Sequence, residues 1–285
     1  MIRLSQDQDL PALFALWQEA FEGDAREAAL YFTHRIRRED TLVATSGEAL
    51  SGMLTMLPLT LSSPQGEYPA RYVFAVATFK RFRGQGISTR LLDAAHARMK
   101  ADGVTASLLV PATPPLFDFY GKRGYETRFF IDFLNLLPQD LPPAPLGARV
   151  TPCGARDYLR LRDQAFVDSA LYARWDLEAL RFAIHSLTEA GSGGALRVSI
   201  PQGQAVCLYE KREEGLRITE LAPLNLGWET AMAALHQHLR APAYTLHMPE
   251  GSLPKAQTLP LGMIRWLGPV PQTQGGAPYL SIAKD

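Results

Sequence analysis

The stretch that decides the fold is Val76-Ala-Thr-Phe-Lys-Arg81-Phe-Arg83-Gly84-Gln85-Gly86-Ile87-Ser88. An apolar run, 71–78, leads into it, and the clearest helical pattern of the chain, 87–100, follows it. A helix N-terminus carries unpaired N–H groups and the positive end of the helix dipole. Glycines let an anion approach the backbone, and Arg81 and Arg83 add positive charge. The segment therefore predicts a phosphate-binding turn between a strand and a helix.

Hydrophobic periodicity predicts the elements around this turn. The predicted helices are 9–21, 25–37, 87–100 and 117–122, and the predicted strands are 2–4, 41–45, 49–61, 71–78, 106–110 and 125–137. Antiparallel strands that are followed by a strand–helix–strand unit indicate an α/β (α+β) fold with one mixed sheet.

The second half of the chain is predicted to be a diverged copy of the first. Residues 138–147 contain four prolines and Gly147, which is typical of a linker, so we expect domains at 1–137 and 148–285. Residues 161–166 repeat the pattern of residues 16–21 at an offset of 145. Gly227 stands opposite Gly84 at an offset of 143. Two nearly equal offsets indicate an internal duplication.

Composition argues against several classes of protein. The 29 basic and 29 acidic residues balance, which disfavours nucleic acid as a partner. No apolar run reaches the length of a membrane span, and the polar N-terminus is unlike a signal peptide, so we expect a cytoplasmic protein without a membrane partner. Cys153 and Cys207 alone cannot form a structural zinc site, and we expect no metal. The oligomeric state stays open.

Three phosphate-binding motifs compete for the turn. A Walker A loop needs a Lys-Ser/Thr pair after its glycine, and a dinucleotide fingerprint needs a third glycine or alanine where Thr89 stands. Both of these motifs, and with them a kinase or an NAD enzyme, are disfavoured. The observed Arg81-x-x-Gly84-x-Gly86 resembles the Arg/Gln-x-x-Gly-x-Gly/Ala motif of the GNAT acetyltransferase superfamily. The resemblance implies that acetyl-CoA binds at Phe74, Ala75, Val76, Arg81, Phe82, Arg83, Gly84, Gln85, Gly86, Ile87 and Ser88.

A second motif strengthens this resemblance. Phe119-Tyr120-Gly-Lys-Arg-Gly124-Tyr125 follows the turn after one helix and one strand, and it resembles the Phe-Tyr-x-x-x-Gly-Phe segment of the superfamily. The resemblance implies that Tyr120 protonates the departing thiolate. A phenol with a pKa near 10 suits a thiol with a pKa near 8.5. The backbone amides of strand 71–76 would polarise the acetyl carbonyl.

The general base has no obvious candidate. Strand 71–76 carries no carboxylate, so water or a residue of the second half must serve. At the position of the second half that matches Arg81 stands Leu224, and Glu229 replaces Gly86, so the sequence predicts a degenerate repeat that binds no phosphate. Such a pair of repeats is similar to Eis-type acetyltransferases, without their sterol-carrier-like domain. In those proteins the C-terminal carboxylate reaches the active site, which makes Asp285 a candidate catalytic residue.

The sequence therefore predicts tandem GNAT folds, an active N-terminal repeat followed by a degenerate C-terminal one. The implied reaction is direct transfer of an acetyl group from acetyl-CoA to a primary amine of a small molecule or a peptide. The alternative is a sensor that binds acetyl-CoA without turnover. The two hypotheses differ in the role of Tyr120, because a sensor needs no proton donor there.

Overall fold

The computed structural model describes residues 1–21, 25–272 and 275–281. The first half contains, in chain order, β1 (Ile2–Leu4), α1 (Leu10–Phe21), α2 (Ala25–His34), β2 (Thr41–Ser46), β3 (Ala49–Ser63), β4 (Gly66–Thr78), α3 (Ile87–Ala101), β5 (Ala106–Leu109), α4 (Pro114–Gly121) and β6 (Glu126–Leu136). The second half contains β7 (Arg149–Pro152), α5 (Ala155–Ala165), β8 (Tyr172–Arg174), α6 (Leu177–Glu189), β9 (Gly193–Ile200), β10 (Gly203–Arg212), β11 (Gly215–Leu224), α7 (Trp228–Leu239), β12 (Tyr244–Pro249) and β13 (Gln257–Trp266). None of the described helices combines the length and apolar composition that crossing a bilayer requires.

Hydrogen bonds join the strands of both halves into one mixed sheet. Its order is β1-β2-β3-β4-β5-β13-β6-β12-β11-β10-β9-β7, and β8 pairs with β3 beside this row. The pairs β4–β5 and β11–β12 are parallel, and a helix, α3 or α7, makes each crossover, as parallel neighbours require. The predicted α/β class with a mixed sheet is confirmed, and each half repeats the same strand–helix–strand unit.

The two halves exchange their last strands. Strand β13, from the second half, lies between β5 and β6 and is antiparallel to both. Strand β6, from the first half, pairs in turn with β12. The predicted domain limits, 1–137 and 148–285, stay a prediction, because the strands of both halves form one sheet that does not divide at the linker.

The core forms two layers, because side chains alternate between the faces of the sheet. On β3, Met53 packs under α1 and α2, whereas Leu54 packs under α3. Helix α6 lies on the face of α2, where the rings of Phe182 and Tyr31 are 4.8 Å apart. Helix α7 packs on the face of α3 against the strands of the second half. One face thus carries α1, α2, α5 and α6, and the other carries α3 and α7.

A glycine sets how closely α3 approaches the sheet. A Cβ on Gly52 of β3 would lie 2.8 Å from the carbonyl oxygen of Ala77 and 2.9 Å from Cγ2 of Ile87. Both distances are shorter than any van der Waals contact, so an alanine would push the first turn of α3 outward. Gly52 therefore fixes the position of the turn that precedes α3.

A buried ionic network anchors the C-terminal segment in the second half. The Nε of Arg162 donates to both carboxylate oxygens of Glu220 at 2.9 Å, and both side chains are fully buried. The hydroxyls of Tyr158 and Tyr279 donate to the same carboxylate at 2.8 and 3.1 Å. Removing one member of such a buried pair costs about 3–5 kcal/mol, because the other charge is left without a partner. Through Tyr279 the network holds the last described residues against the core.

Two elements begin earlier than their patterns predict. Helix α4 starts at Pro114 instead of residue 117, because Thr113 is an extended N-cap residue and prolines are accepted in a first turn. Strand β4 starts at Gly66 instead of residue 71, because its hairpin with β3 continues to the pair Ser63–Gly66. The other predicted strands of the first half lie within two residues of their observed ends.

Candidate active site

The turn before α3 has the backbone of an anion site. Gly84 and Gly86 have φ values of +77° and +70°, in the left-handed region that favours glycine. Gly86 is the N-cap residue, and its carbonyl accepts the N–H of Arg90 as the first bond of the helix. The N–H groups of residues 87–89 therefore have no acceptor within the helix and point out of its end.

The side chains around the turn fix its shape and leave its charges available. The hydroxyls of Thr78 and Ser88 are 3.0 Å apart and tie the end of β4 to the first turn of α3. The Nε of Arg83 donates to the carbonyl of Thr78 at 3.3 Å, and the Arg81 guanidinium lies 5.0 Å from the ring of Phe82. Among the described residues neither arginine forms an ion pair with a carboxylate, so both charges can face an anion.

Strand β4 parts from β5 just before this turn. The two strands pair only from Ala70–Ala106 to Tyr72–Leu108. Beyond that point the register of β4 with β3 shifts, and Ala75 takes a φ of +52°. Positive φ costs a residue with a Cβ roughly 1–2 kcal/mol, and such strain persists only where the surrounding structure imposes it. The edge of β4 between residues 73 and 76 thus borders a gap.

A cavity of about 410 Å³ lies at this gap, a volume in the range of small-molecule sites. Aromatic and aliphatic side chains of α1, α2, α4, β4 and the end of β5 line it: Trp17, Tyr31, Tyr72, Phe74, Val76, Val110 and Tyr120. Within the described chain no carboxylate lines this cavity. Most of the lining side chains are apolar, and a hydrogen bond formed beside them is stronger than one in water.

Tyr120 is the polar group best placed in this cavity. The residue is 7% exposed, and its hydroxyl has no hydrogen-bond partner among the described residues. Burial raises the pKa of Tyr120 to about 12, and the nearby charge of Arg123 opposes this rise. The side chain is therefore a neutral phenol at physiological pH and can act as a proton donor.

Comparison with known proteins agrees with this geometry. Residues 1–128 match the family described as Acetyltransferase (GNAT) domain. This part of the chain resembles a GNAT domain, and the name GNAT domain is kept for residues 1–128. An S-alkylcysteine N-acetyltransferase from Bacillus subtilis (strain 168) is 31% identical over 116 residues, which covers 36% of this chain and 64% of that enzyme. The match thus spans less than two thirds of the relative's own length.

Solved structures share the fold of both halves. A GCN5-related N-acetyltransferase from Anabaena variabilis ATCC 29413 aligns with a TM-score of 0.77 at 16% identity, over 94% of this chain and 73% of that one. Eis1 from Mycobacterium abscessus aligns with a TM-score of 0.71 at 15% identity, over 94% and 74%. These alignments extend beyond the GNAT domain, and the predicted tandem fold with Eis-like architecture is confirmed.

An arginine that the sequence analysis missed links the two motifs of the GNAT domain. The guanidinium of Arg123 donates to Oγ1 of Thr89 at 2.6 Å and to the carbonyl of Phe119 at 2.5 Å. It also lies 3.5 Å from the centre of the Phe119 ring. These contacts join α4, which carries Tyr120, to the first turn of α3. Arg123 lies inside the second motif, but nothing in that motif indicates its partners.

A buried network from the second half supports the same segment. Arg265 of β13 donates to the carbonyl of Arg123 at 2.8 Å and contacts Nδ1 of His96 at 3.0 Å. The other ring nitrogen of His96 lies 2.9 Å from the hydroxyl of Tyr125, which is 2.6 Å from the hydroxyl of Ser107. Burial first, and then the charges of Arg265 and Lys100, lower the pKa of His96 to about 4. A neutral His96 accepts from Arg265 at Nδ1 and donates to Tyr125 at Nε2.

The structure brings most of the predicted site residues together. Phe74, Ala75 and Val76 border the cavity that contains Tyr120, and 81–88 form the adjoining turn. The Ile87 side chain packs in the core, so only its backbone can face a ligand. Asp285 lies outside the described residues. Both cysteines are buried, which raises the pKa of Cys153 to about 11 and of Cys207 to about 12, and neither lines the cavity. In the described ranges no group of His, Cys, Asp and Glu side chains could hold a metal ion.

Proposed function

We propose that the GNAT domain transfers an acetyl group from acetyl-CoA to a primary amine. One observation carries the proposal: the gap beside β4 and Tyr120 line one cavity, and the same strand leads directly into the glycine turn before α3. A turn alone would suit many phosphate ligands. A turn that adjoins an apolar gap with a buried phenol suits a ligand with a diphosphate at one end and a thioester at the other.

The residues present fit acetyl-CoA. We assign its diphosphate to the backbone N–H groups of residues 84–88 and to Arg81 and Arg83. Its pantetheine arm would follow the edge of β4, where Phe74, Ala75 and Val76 offer backbone groups that no strand occupies. A positive φ at Ala75 turns its peptide away from the regular strand pattern, which suits an amide aimed at the acetyl carbonyl.

The chemistry then needs one acid and one base. Acetyl-CoA supplies the acetyl group, activated as a thioester. The amine nitrogen forms a bond to the acyl carbon, the carbon–sulfur bond breaks, the amine loses a proton and the sulfur gains one. Tyr120 donates the proton to the sulfur, and its raised pKa keeps that proton in place until the bond breaks.

For the base we propose water or Asp285. The last described residue, Ser281, lines a cavity that adjoins the site at Val110, and its carbonyl accepts the indole N–H of Trp175 at 2.7 Å. Asp285 follows four residues later in the sequence, and four residues of extended chain span at most about 14 Å. The second half binds no acetyl-CoA in this proposal and instead shapes the acceptor site.

The acceptor class can be tested directly. The full chain should release free thiol from acetyl-CoA in the presence of some members of a primary amine library, in which S-alkylcysteines are a reasonable first choice because the Bacillus relative carries that name. Saturating acetyl-CoA should raise the melting temperature by on the order of 5 °C. Arg83→Glu should remove this shift, whereas Arg156→Glu, an exposed arginine on α5, should keep it.

Three outcomes separate the hypotheses. A shift with thiol release supports the transferase. A shift without thiol release from any amine supports the alternative, an acetyl-CoA sensor. A shift of equal size in the wild type and in Arg83→Glu would contradict the assignment of the diphosphate to this turn.

A further inference from the structure

A second cavity continues the candidate active site into the other half of the molecule. It has a volume of about 390 Å³, and Val110 lines it as well as the first cavity, so the two adjoin at the end of β5. From Val110 it passes Leu261 of β13 and Ile131 of β6 and reaches β11 and β10. It lies on the sheet face of α6, whose Leu187 covers it. An acceptor that occupies both cavities would have to pass Val110.

The far end of the second cavity is polar and positively charged. Arg217 of β11, Arg212 and Glu210 of β10, and His247 of β12 line it. Arg212 pairs with Glu210 at 2.6 Å, so these two charges cancel. Arg217 stands directly opposite Glu210 in the register of the two strands, yet among the described residues it forms no ion pair. The cavity thus keeps one uncompensated positive charge.

Two buried polar atoms at this end have no partner in the described chain. They are Nε of Arg217 and Nε2 of His247. Burial first, and then the charges of Arg217 and Arg212, lower the pKa of His247 to about 4, so this histidine is neutral near pH 7 and can donate one hydrogen bond. Buried donors without partners are costly, and native proteins rarely keep them unless a ligand or water completes them.

We propose that Arg217 and His247 bind a carboxylate of the acceptor, and that the acceptor is an elongated amine with this carboxylate at its far end. The inference rests on the proposed function, because it places the amine at the gap beside β4. One uncompensated positive charge matches one negative charge, and a guanidinium beside a neutral donor matches the two oxygens of a carboxylate.

The sheet sets the length of the acceptor. Strands β5 and β11 are four neighbours apart in the sheet, which at a spacing of about 4.8 Å amounts to about 19 Å. An extended peptide covers about 3.4 Å per residue, and the Arg217 side chain shortens the distance that it must cover. A short peptide with an unmodified N-terminus and C-terminus is the simplest molecule of this class. A single amino acid, an S-alkylcysteine included, is too short to bridge the two ends and would be acetylated without a contact to Arg217.

The test uses glycine peptides of about two to six residues, each as the C-terminal acid and as the C-terminal amide. For the full chain with acetyl-CoA, kcat/KM should rise with length and should favour the acid over the amide by about 10- to 100-fold at the best length, the effect of one charge-assisted contact. Arg217→Met should lose this preference while it acetylates the amide at the wild-type rate. The amide thus serves as an internal check that the variant is folded, and Arg156→Met is the matched control.

Each result decides the inference. Equal rates for acid and amide in the wild type, or a preference that survives Arg217→Met, would overturn it. Acetylation of other amines but of none of these peptides would also overturn the inference. That outcome would leave the proposed function standing. Thiol release from no amine at all would instead contradict the proposed function. If Arg217→Met does not fold, Arg217→Lys, which keeps the charge but not the planar set of N–H donors, should weaken the preference for the acid, and an undiminished preference there would count against the guanidinium contact. A variant without residues 282–285 should also keep the preference, because we assign Arg217 to the acceptor and not to the tail.

Discussion

The strand–helix–strand unit of the first half and that of the second half differ in one respect that matters for binding. In both units the parallel strands pair over three positions and then part, after Tyr72–Leu108 in one and after Ile218–Leu246 in the other. In both units the register with the preceding strand shifts at this point. The gap in the sheet is thus a property of the shared backbone.

The turns that follow the two gaps are not alike. Gly86, the N-cap residue of α3, is left-handed, whereas Gly227, the N-cap residue of α7, has φ −69° and ψ 148°, which any residue can adopt. Glu229 occupies the first turn of α7, where a phosphate would meet a negative charge. The comparison shows that the two units share the gap but differ in the conformation of the turn that follows it. In the second half His247 directly follows the last pair of β11 and β12, Arg217 lies within the paired part, and both line the second cavity.

The largest effect should come from Tyr120, which has no counterpart in the second half because β12 leads to β13 through turns in the described chain. Tyr120→Phe should bind acetyl-CoA normally and should lower kcat by about 100-fold or more, the usual loss for a general acid. Since burial raises the pKa of Tyr120 to about 12, the wild-type kcat should show no decline from ionisation of this phenol up to about pH 10. Wild-type turnover in the variant would mean that water protonates the thiolate.

A matched pair of glycine variants sharpens the comparison of the two turns. Gly86→Ala forces a residue with a Cβ into the left-handed region and should weaken acetyl-CoA binding by about 10-fold or more, as judged by titration calorimetry. Gly227→Ala meets only ordinary contacts, with Glu229 Oε2 at 3.5 Å, and should leave the affinity within about twofold. Similar losses in both variants would show that the second turn also contributes to cofactor binding.

The smallest of the three effects concerns the contact between the halves. Arg265→Met removes the donor to the carbonyl of Arg123 and leaves Nδ1 of His96 without a partner. Because Arg265 positions the segment of Tyr120, kcat should fall by about 10-fold while KM for acetyl-CoA stays within about twofold. Arg98→Gln, which affects an exposed pair with Asp102 on the same helix as His96, should change neither constant. A rise in KM alone would place Arg265 in cofactor binding.

Local patterns predicted much of this molecule. The turn 81–88 could be identified because its glycines, its arginines and the helix that follows lie within one short segment, and each of them has a local physical reason. Strands and helices of the first half followed from their periodicity for the same reason. The weak echo between Gly84 and Gly227 indicated the second unit, which the fold contains.

Local sequence patterns could not predict contacts between residues that are far apart in the chain. Arg265 and Arg123 are 142 residues apart, and nothing near either one indicates the other. Arg217 and His247 look like ordinary strand residues until the sheet places them at one end of a cavity. The sequence did not predict the exchange of β6 and β13 either. Pairing of each strand within its own half and pairing with the other half satisfy the same hydrophobic alternation, and only the three-dimensional arrangement selects one of them.

The exchange of strands has a consequence for how such a protein can change over generations. The second half supplies β13 to the middle of the sheet of the first half, and with it Arg265. Substitutions in the turn before α7 leave this strand in place, whereas deletion of the second half would remove it from between β5 and β6. If the two halves arose by duplication, that event is irreversible in this sense: the gene cannot return to a single copy without rebuilding the sheet.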